Sequence, residues 1–552
     1  MDKPRTIVIV GGVAGGASAA TRARRLSESA RIVLFEKDEN VSFANCGMPY
    51  HIGGEITDRE KLVVAKPELL RDRFGIEVRT RCEVTAIHRE TKEVEVLDHA
   101  SGETFRQGYD KLILAPGAAP LVPPLPGLPA PNALILRNLA DMDRIKQRVD
   151  AMALEGKGRV VVVGAGFIGL EMAEQLHHRG LSVSLVELQD QVLPPLDKEM
   201  ADLVATSVRE AGIDLRLGSG LNGFETRDGS IEAIALSDGS KIACDLVVLG
   251  LGVRPQTRLA EAAGLALGPT RGIAVDSFSR TNDPDIYAVG DAAESIHGVT
   301  EAITRIPLAG SANRAGRLAA EHAVTGTSRS APKVQGTAIV RAFGKVAAMT
   351  GLSSKAATAQ GVTFRSVMLE ARNHASYYPG AEPMVLKVVY DPADGRVLGA
   401  QAVGGNGVDK RIDILSTVIH FKGTVEDLTE LDLTYAPPFG SAKDAVHMAG
   451  FLATNQQDGL VEFLATDADL EGWQVLDVRT PAEVARDGAP ANSIAIPVDQ
   501  LRERANELDA SRPTAIVCRS GQRAWIASRI LTQRGQRNAV VSGGWLVRGR
   551  AK

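Results

Sequence analysis

Apolar residues in this chain gather in short β-branched runs that end abruptly in glycine. Thr6–Val10 breaks into Gly11-Gly12-Val13-Ala14-Gly15-Gly16, a helix-like stretch follows to about Glu28, and Arg31–Glu36 is apolar again until its closing acid. Arg159–Val163 repeats the design. It breaks into Gly164-Ala165-Gly166-Phe167-Ile168-Gly169, continues as a helix through about His178, and ends in Ser182–Glu187. Each segment predicts strand, tight turn, helix, strand. Tyr109–Gly117 and Asp245–Gly250 predict further buried strands, each with an Asp near its start and a Gly at its end, and Ile286–Asp291 places an acid at a strand tip. Near 450–459 the Asn/Gln/Asp/Gly composition reads as a linker. Beyond it, new strands are predicted at Val475–Arg479, Ile494–Pro497 and Thr514–Val517.

In both repeated segments an acid, Glu36 or Glu187, stands 20 or 18 residues after the last glycine. That spacing is the dinucleotide-binding fingerprint. Glycines let the backbone approach a pyrophosphate, the helix N-terminus favours its charge, and the acid accepts from ribose hydroxyls. The binding positions are Gly11, Gly12, Gly16 and Glu36 in the first copy, and Gly164, Gly166, Gly169 and Glu187 in the second. The first copy carries Val13 where a middle glycine is usual. An acid at Glu187 also repels a 2′-phosphate, so NADH is expected over NADPH.

Composition narrows the class. At 552 residues the chain is long enough for three or four domains of about 150 residues. Sixty-three basic against 67 acidic residues gives a net charge of −4, which excludes an electrostatic nucleic-acid or membrane-surface binder. Fifty-five glycines with 4% aromatics suit α/β domains rich in tight turns. Cys46, Cys82, Cys244 and Cys518 are too few and too scattered for a disulfide framework or a CxxC metal site, so no metal and a cytoplasmic location are expected. The basic–apolar start from Lys3 to Ala20 superficially matches a signal peptide, but its glycines and the following arginines fit strand–turn–helix better. No apolar stretch is long enough to span a bilayer.

Two nucleotide sites with an acid at Asp291 resemble the flavoprotein reductases with two dinucleotide domains, in which that last Asp meets the ribityl chain of FAD. Ala115 and Gly117 fall beside the same cofactor. Ser42-Phe43-Ala44-Asn45-Cys46-Gly47-Met48-Pro49-Tyr50 then supplies a lone redox cysteine, because His51 stands where a CxxxxC pair would have its second thiol. This motif, with His374–Gly380 and Tyr435-Ala436-Pro437-Pro438-Phe439, resembles the coenzyme A-disulfide reductase family across residues 1 to about 450. The resemblance implies a homodimer whose Cys46 rests as a mixed disulfide with coenzyme A. It also implies that Tyr377 and Tyr435 reach in from the partner subunit, and that Ser18, Arg22, Arg25, Ser42 and Asn45 line the coenzyme A site. A lysine of that family falls at Phe74 here. His447 reads as an ordinary surface histidine.

The last segment, with Cys518-Arg519-Ser520-Gly521-Gln522-Arg523 before a helix, resembles a rhodanese domain, whose C-x-x-x-x-R loop wraps a persulfide sulfur in backbone N–H groups. Cys518 and Arg523 are the residues it implies; Gly488-Ala489-Pro490 replaces a more usual G-H-I-P. The expected class is α/β, with an FAD-binding domain (1–150 and 272–325), an NAD(P)H-binding domain (151–271), an α+β dimerisation domain (326–450), a linker (451–459) and a rhodanese domain (460–552). The expected enzyme is an FAD-dependent, NADH-using reductase of coenzyme A persulfide, polysulfide and coenzyme A disulfide. Phe167 would gate the nicotinamide, and Cys518 would carry sulfane sulfur. A plain coenzyme A-disulfide reductase, an NADH oxidase or peroxidase working through a Cys46 sulfenate, and a non-enzymatic sulfur carrier are the rivals.

Overall fold

The computed structural model describes residues 5–548, which form two compact units. The first unit holds the described residues up to 188 and residues 219–334. Its first sheet is parallel, in the order Ile286–Ala288, Lys111–Leu114, Thr6–Val10, Arg31–Phe35, Glu77–Arg79. Strand alternation divides the apolar run. Ile7 and Ile9 pack on Ala19, Ala20 and Ala23 of the helix Ala14–Leu26, whereas Val8 and Val10 face a cluster that includes Val84, Val94 and Val96 of an antiparallel meander. The helix Ala309–Thr325 crosses Ala14–Leu26 at a point where a Cβ on Gly316 would lie 2.1 Å from the Gly15 carbonyl oxygen, so glycine is required there.

The same plan recurs in the second sheet of this unit. Ser182–Val186, Arg159–Val163, Leu246–Leu249 and Ala133–Ile135 are parallel neighbours in that order. Val161 and Val163 pack against Phe224, Ile231 and Ile234 of a second antiparallel meander. Both repeated segments therefore fold as their periodicity predicts, with strands at Thr6–Val10, Arg31–Phe35, Arg159–Val163 and Ser182–Val186 and helices at Ala14–Leu26 and Phe167–His178.

Three domain boundaries move. The division at 150/151 falls inside the helix Leu139–Leu154, and Ala133–Ile135 before it already belongs to the second sheet. Ala260 and Leu265 pack with the first sheet's Leu112 and Ile286, so the chain has returned to the first domain before residue 272. Residues 189–218 belong to the second unit. There Asp197 accepts from Lys387 Nζ at 2.7 Å, from Gln401 Nε2 at 2.7 Å, and from the backbone N–H groups of Ser354 and Lys355. Three distant segments thus converge on one buried carboxylate.

The second unit continues from 335 onward. Its antiparallel sheet runs Ala338–Ala342, Lys345–Gly351, Val397–Gly404, Pro383–Tyr390, Arg365–Arg372, and helices Val408–His420, Val425–Glu430 and Ala445–Gln457 accompany it. The expected linker at 451–459 is mostly helix. Asp444 caps Ala445–Gln457, Ala449 and Ala453 are buried, and Gln456 accepts from the Tyr390 hydroxyl at 2.8 Å. Last comes a parallel sheet ordered Phe463–Leu464, Asn538–Val541, Thr514–Val517, Gln474–Asp477, Ile494–Ala495. Among the described residues no helix is long and apolar enough to cross a membrane.

Candidate active sites and cofactor cradles

Gly11 sits at φ +94°, and a Cβ on it would lie 2.2 Å from the Ala115 carbonyl oxygen; a Cβ on Gly16 would lie 1.8 Å from Gly11's. The turn is therefore too close for any side chain at either end. Val13 precedes the first residue of the following helix, at φ −89°, a value open to any residue. The carboxylate of Glu36 accepts from Gly12 N–H at 2.7 Å and Asp38 N–H at 3.0 Å, while burial raises its pKa against those bonds. Gly117, at φ +69°, has open space where its Cβ would be.

Asp291 follows the strand Ile286–Ala288. Burial raises its pKa, and the charges of Arg305 and Arg137 work against that. Arg305 Nε and Nη1 are buried and have no hydrogen-bond partner. A guanidinium with buried, orphaned donors near a carboxylate, in the same unit as a glycine turn, fits a group that carries phosphates and hydroxyls. These residues accordingly fit FAD.

The second cradle is built alike. A Cβ on Gly164 (φ +102°) would lie 2.4 Å from the Gly250 carbonyl oxygen, one on Gly169 would lie 1.8 Å from that of Gly164, and one on Gly166 would meet nothing within 4 Å. Ala165 N–H donates to Glu187 at 2.7 Å, which repeats the Gly12–Glu36 bond. Phe167 opens the helix after this turn. The open face at Gly166 fits the close approach of a pyridine nucleotide.

Cys46 is exposed, on a single helical turn, Asn45–Gly47, that runs into the helix Met48–Gly53. The protein packed around the thiol raises its pKa above the ordinary 9.0, and the carboxylates of Glu171 and Asp291 push the same way. The chain's own charges thus favour an uncharged sulfur here. His51 is buried and bonded through Nδ1 to the Ile56 carbonyl at 2.6 Å, so the position of a second thiol is structural. Cys82 and Cys244 are buried in separate cores; burial pushes the Cys244 thiol up to about 11.

The residues implied for the coenzyme A site lie in the first unit with Cys46. Ser42 adopts φ +47° and donates its N–H to Gly12 O; Asn45 Nδ2 is 3.4 Å from Arg137 O. Ser18 hydroxyl lies 2.6 Å from Asn313 Oδ1. Arg22 pairs with Glu321 but leaves a buried Nε without a partner, and the Arg25 guanidinium lies 5.1 Å over the Phe74 ring. Phe74, at the family's lysine position, therefore supports a cation instead of supplying one.

Tyr377 and Tyr435 stand in the second unit, 74% and 51% exposed, with their hydroxyls 3.1 Å apart. Two loops carry them, and Ala375 N–H donates to Gly440 O at 3.0 Å between those loops. Beneath, fully buried Arg411 bonds Asp444 at 2.6 Å and the Asn373 carbonyl at 2.8 Å. His447 is not an ordinary surface histidine. It is half-buried, accepts from Asp444 N–H at 3.2 Å and donates to Leu431 O at 2.7 Å, closing the helix cap.

Cys518 ends the strand Thr514–Val517 and is 1% exposed. Gly521, at φ +109°, donates its N–H to Cys518 Sγ at 3.0 Å at the start of the helix Gln522–Thr532. Trp545 and Leu546 donate backbone N–H groups to the carbonyls of Cys518 and Arg519, which clamps the loop from outside. Arg523 turns aside: it binds Glu483 through both Nη atoms at 2.6 and 2.7 Å and holds that carboxyl down to about 2. Gly488 takes up φ +73° after the helix Pro481–Asp487, and its carbonyl accepts from Arg479.

Sequence reasoning missed Arg305, Arg137, Glu171, Arg411 and Glu483. Only Glu483 left a local trace, as the last residue of the capping box Thr480-Pro481-Ala482-Glu483. Arg137, Glu171 and Arg411 act on partners more than thirty residues distant in sequence, and Arg305 acts on Asp291 across fourteen residues of loop and short strand, which no local spacing can reveal.

Comparison with known proteins agrees with this arrangement. Residues 5–316 match the pyridine nucleotide-disulphide oxidoreductase family, 342–446 its dimerisation domain and 461–547 a rhodanese-like domain. A coenzyme A disulfide reductase of Staphylococcus aureus is 36% identical over 447 residues, 81% of this chain and 99% of that protein. The reduced CoADR-RHD of Bacillus anthracis is 41% identical, with TM-score 0.95 over 99% of this chain and 98% of that one. An NAD-dependent persulfide reductase from A. fulgidus is 35% identical, with TM-score 0.92 over 98% and 99%. The chain belongs to the pyridine nucleotide-disulphide oxidoreductase family, as a flavin- and NAD(P)H-dependent member with a dimerisation domain and a C-terminal rhodanese domain.

Proposed function

We propose that this chain is an NADH-dependent reductase of coenzyme A persulfide and related polysulfides that releases hydrogen sulfide, and that it also reduces coenzyme A disulfide. The observation that carries the reading is the second thiol. Cys518 Sγ accepts one backbone N–H, from Gly521 at a helix start, in a loop cradle that suits an anionic sulfur, on a chain whose other candidate thiol, Cys46, has no cysteine beside it. A plain disulfide reductase has no use for such a cradle.

In this reading Cys46 thiolate attacks the inner sulfur of coenzyme A persulfide. The sulfur–sulfur bond breaks, hydrosulfide leaves with the bonding pair, and Cys46 becomes a mixed disulfide with coenzyme A. Two electrons and one proton then return Cys46 thiolate and free coenzyme A. A bound flavin supplies that electron pair, relayed from NADH at the second cradle. The uncharged mixed disulfide agrees with surroundings that disfavour a free thiolate at Cys46. Ser18, Arg22, Arg25, Ser42 and Asn45 bind the coenzyme A. Tyr377 and Tyr435, from the partner in a homodimer, hold the proton for the departing thiol. Cys518 takes up sulfane sulfur and passes it on. Glu187 accepts from the nicotinamide nucleotide's free ribose hydroxyl, which favours NADH.

The test is anaerobic NADH oxidation with coenzyme A persulfide and coenzyme A disulfide side by side, with sulfide quantified. Faster turnover with persulfide, and one sulfide per NADH, is the expected result. Preference for the disulfide without sulfide release would make the chain a coenzyme A-disulfide reductase alone. Oxygen consumption without any thiol acceptor would favour the sulfenate oxidase.

A further inference from the structure

Three charged side chains around the Cys518 loop keep hydrogen-bonding capacity that the chain itself does not use. Arg519, next to the cysteine, is half-exposed, and its side chain makes no hydrogen bond among the described residues. Its Nε has only an ionic contact, at 3.5 Å, with Glu370. Glu370 comes from the strand Arg365–Arg372 of the dimerisation domain, is nine-tenths buried, and leaves Oε2 without a hydrogen bond. Arg479 is buried as well. Its Nε and Nη2 hold Asp477, Nη2 also donates to Gly488 O, and Nη1 has no partner.

The fold brings the three together. Val478 donates its N–H to Val517 O, so the paired parallel strands Gln474–Asp477 and Thr514–Val517 release Arg479 and Arg519 at neighbouring positions. The Arg479 guanidinium lies 5.3 Å from the centre of the Trp545 ring, and Trp545 N–H holds the Cys518 carbonyl. The Asp487 carboxyl, held low chiefly by its bond to Arg486, also responds to the charges of Arg519 and Arg479, which places both guanidiniums in its vicinity. Met368, two residues before Glu370 and so on the same strand face, reaches the loop too. A Cβ on Gly543 would lie 2.6 Å from its sulfur, and one on Gly521 4.0 Å from its carbonyl oxygen.

A buried carboxylate oxygen without a donor and a buried guanidinium nitrogen without an acceptor are each costly. Here they do not satisfy one another, because the contact between Arg519 and Glu370 is longer than a usual hydrogen bond. Such a pair suits a ligand that brings a cationic donor and an anionic acceptor at once. The Nη edge of a guanidinium offers two N–H groups to a carboxylate, and a buried carboxylate takes an ammonium. On a molecule that hands sulfur to Cys518, both groups must stand within a few bonds of that sulfur. An α-amino acid meets this condition, with ammonium and carboxylate on one carbon.

We propose that the Cys518 site loads from α-amino-acid hydropersulfides, of which cysteine hydropersulfide is the simplest. Arg519, backed by the unpartnered Nη1 of Arg479, receives the carboxylate, and Glu370 from the neighbouring domain receives the ammonium. This rests on the reading of Cys518 as a sulfur carrier and names the donor it loads from. The Cys518 thiolate attacks the outer sulfur of R–S–S–H. The sulfur–sulfur bond breaks, R–S⁻ leaves with the bonding pair as cysteine thiolate, and the proton stays on the transferred sulfur, as Cys518–S–SH. Sulfur, ammonium and carboxylate are then held at three points around one stereocentre, and the mirror-image donor can meet only two of them.

The experiment exposes the full-length holoprotein, without oxygen, to the hydropersulfide of L-cysteine, of D-cysteine or of 2-mercaptoethanol, and follows persulfide on the Cys518 peptide by mass. Enantiomers have the same intrinsic reactivity, so a difference between them reports the site alone. The L and D donors should differ at least about tenfold in loading rate, with the 2-mercaptoethanol donor slower than the faster of the two. Glu370→Gln and Arg519→Gln should each bring the enantiomers within about twofold of one another. A loss of folding slows both enantiomers alike and cannot imitate that change. Equal loading by the enantiomers in the wild type, or an unchanged ratio in either variant, overturns the inference and leaves the carrier reading standing. Loading by none of the three reagents removes the carrier reading itself.

Discussion

The hydroxyls of Tyr377 and Tyr435 share a 3.1 Å hydrogen bond while both rings stand largely in solvent. That bond is the main reason the Tyr377 pKa lies above the ordinary 10.0. A phenol shifted upward keeps its proton through the neutral range, so it can serve as a donor there and fails only as pH rises past its raised value. Tyr435→Phe removes the cause. The alkaline limb of kcat/KM for coenzyme A disulfide should move down toward the unperturbed phenol, with kcat falling by about tenfold or more. A limb that stays in place would show that Tyr377 is not the titrating donor. Neither tyrosine carries a signal of its own in the sequence: a Tyr in a polar loop reads as packing until a resemblance singles it out. The glycines differ, because Gly11, Gly16, Gly164 and Gly169 are fixed by contacts with backbone atoms, and steric necessity leaves a visible spacing.

At the scale of elements, strands and helices of the two nucleotide units were legible because each buried run is bounded by such glycines. Ala133–Ile135 was not. It is three residues long, and Asn132 anchors it by exchanging hydrogen bonds with Ile231, nearly a hundred residues away. The helix Ala445–Gln457 was misread because its polar residues bind protein rather than water, Gln456 to Tyr390 and His447 to Leu431. The Arg411–Asp444 pair joins that helix to Val408–His420 and, through Asn373 O, to the loop that carries Tyr377. Removing one member of a fully buried pair strands the other. Arg411→Met should therefore cost about 3–5 kcal/mol, measured by denaturant unfolding, and Asp444→Leu added to it should recover part of the loss. If the two single losses simply add, the pair is not coupled as the geometry indicates.

For the molecule as a whole, fold class and order of domains could be read from patterns of ten to twenty residues, whereas the grouping of 189–218 with the second unit could not. It depends on Asp197 meeting Lys387 and Gln401, residues with no sequence relation to it. Function divides along the same line. The cradles at Gly11 and Gly164 and the sulfur at Cys46 belong to the first unit, and the Cys518 loop belongs to the second, with its own sheet and its own clamp from Trp545 and Leu546. On the proposed function these are separable half-systems: one moves electrons to a disulfide, the other moves sulfur. Cys46→Ser should then abolish NADH turnover with every acceptor, because the reduced bond always ends at that atom. Cys518→Ser removes only the carrier and leaves a slightly smaller side chain of the same shape in a closed loop, so flavin content and thermal stability should hold. Its turnover of coenzyme A disulfide, which delivers no sulfane sulfur, should equal the wild type's, while turnover of longer polysulfides should fall several-fold. The two assays run on one preparation of each variant, so a loss of folding would depress both together. An equal loss in both, with flavin content and stability intact, would place Cys518 on the path of the electrons and end the division of labour between the two thiols.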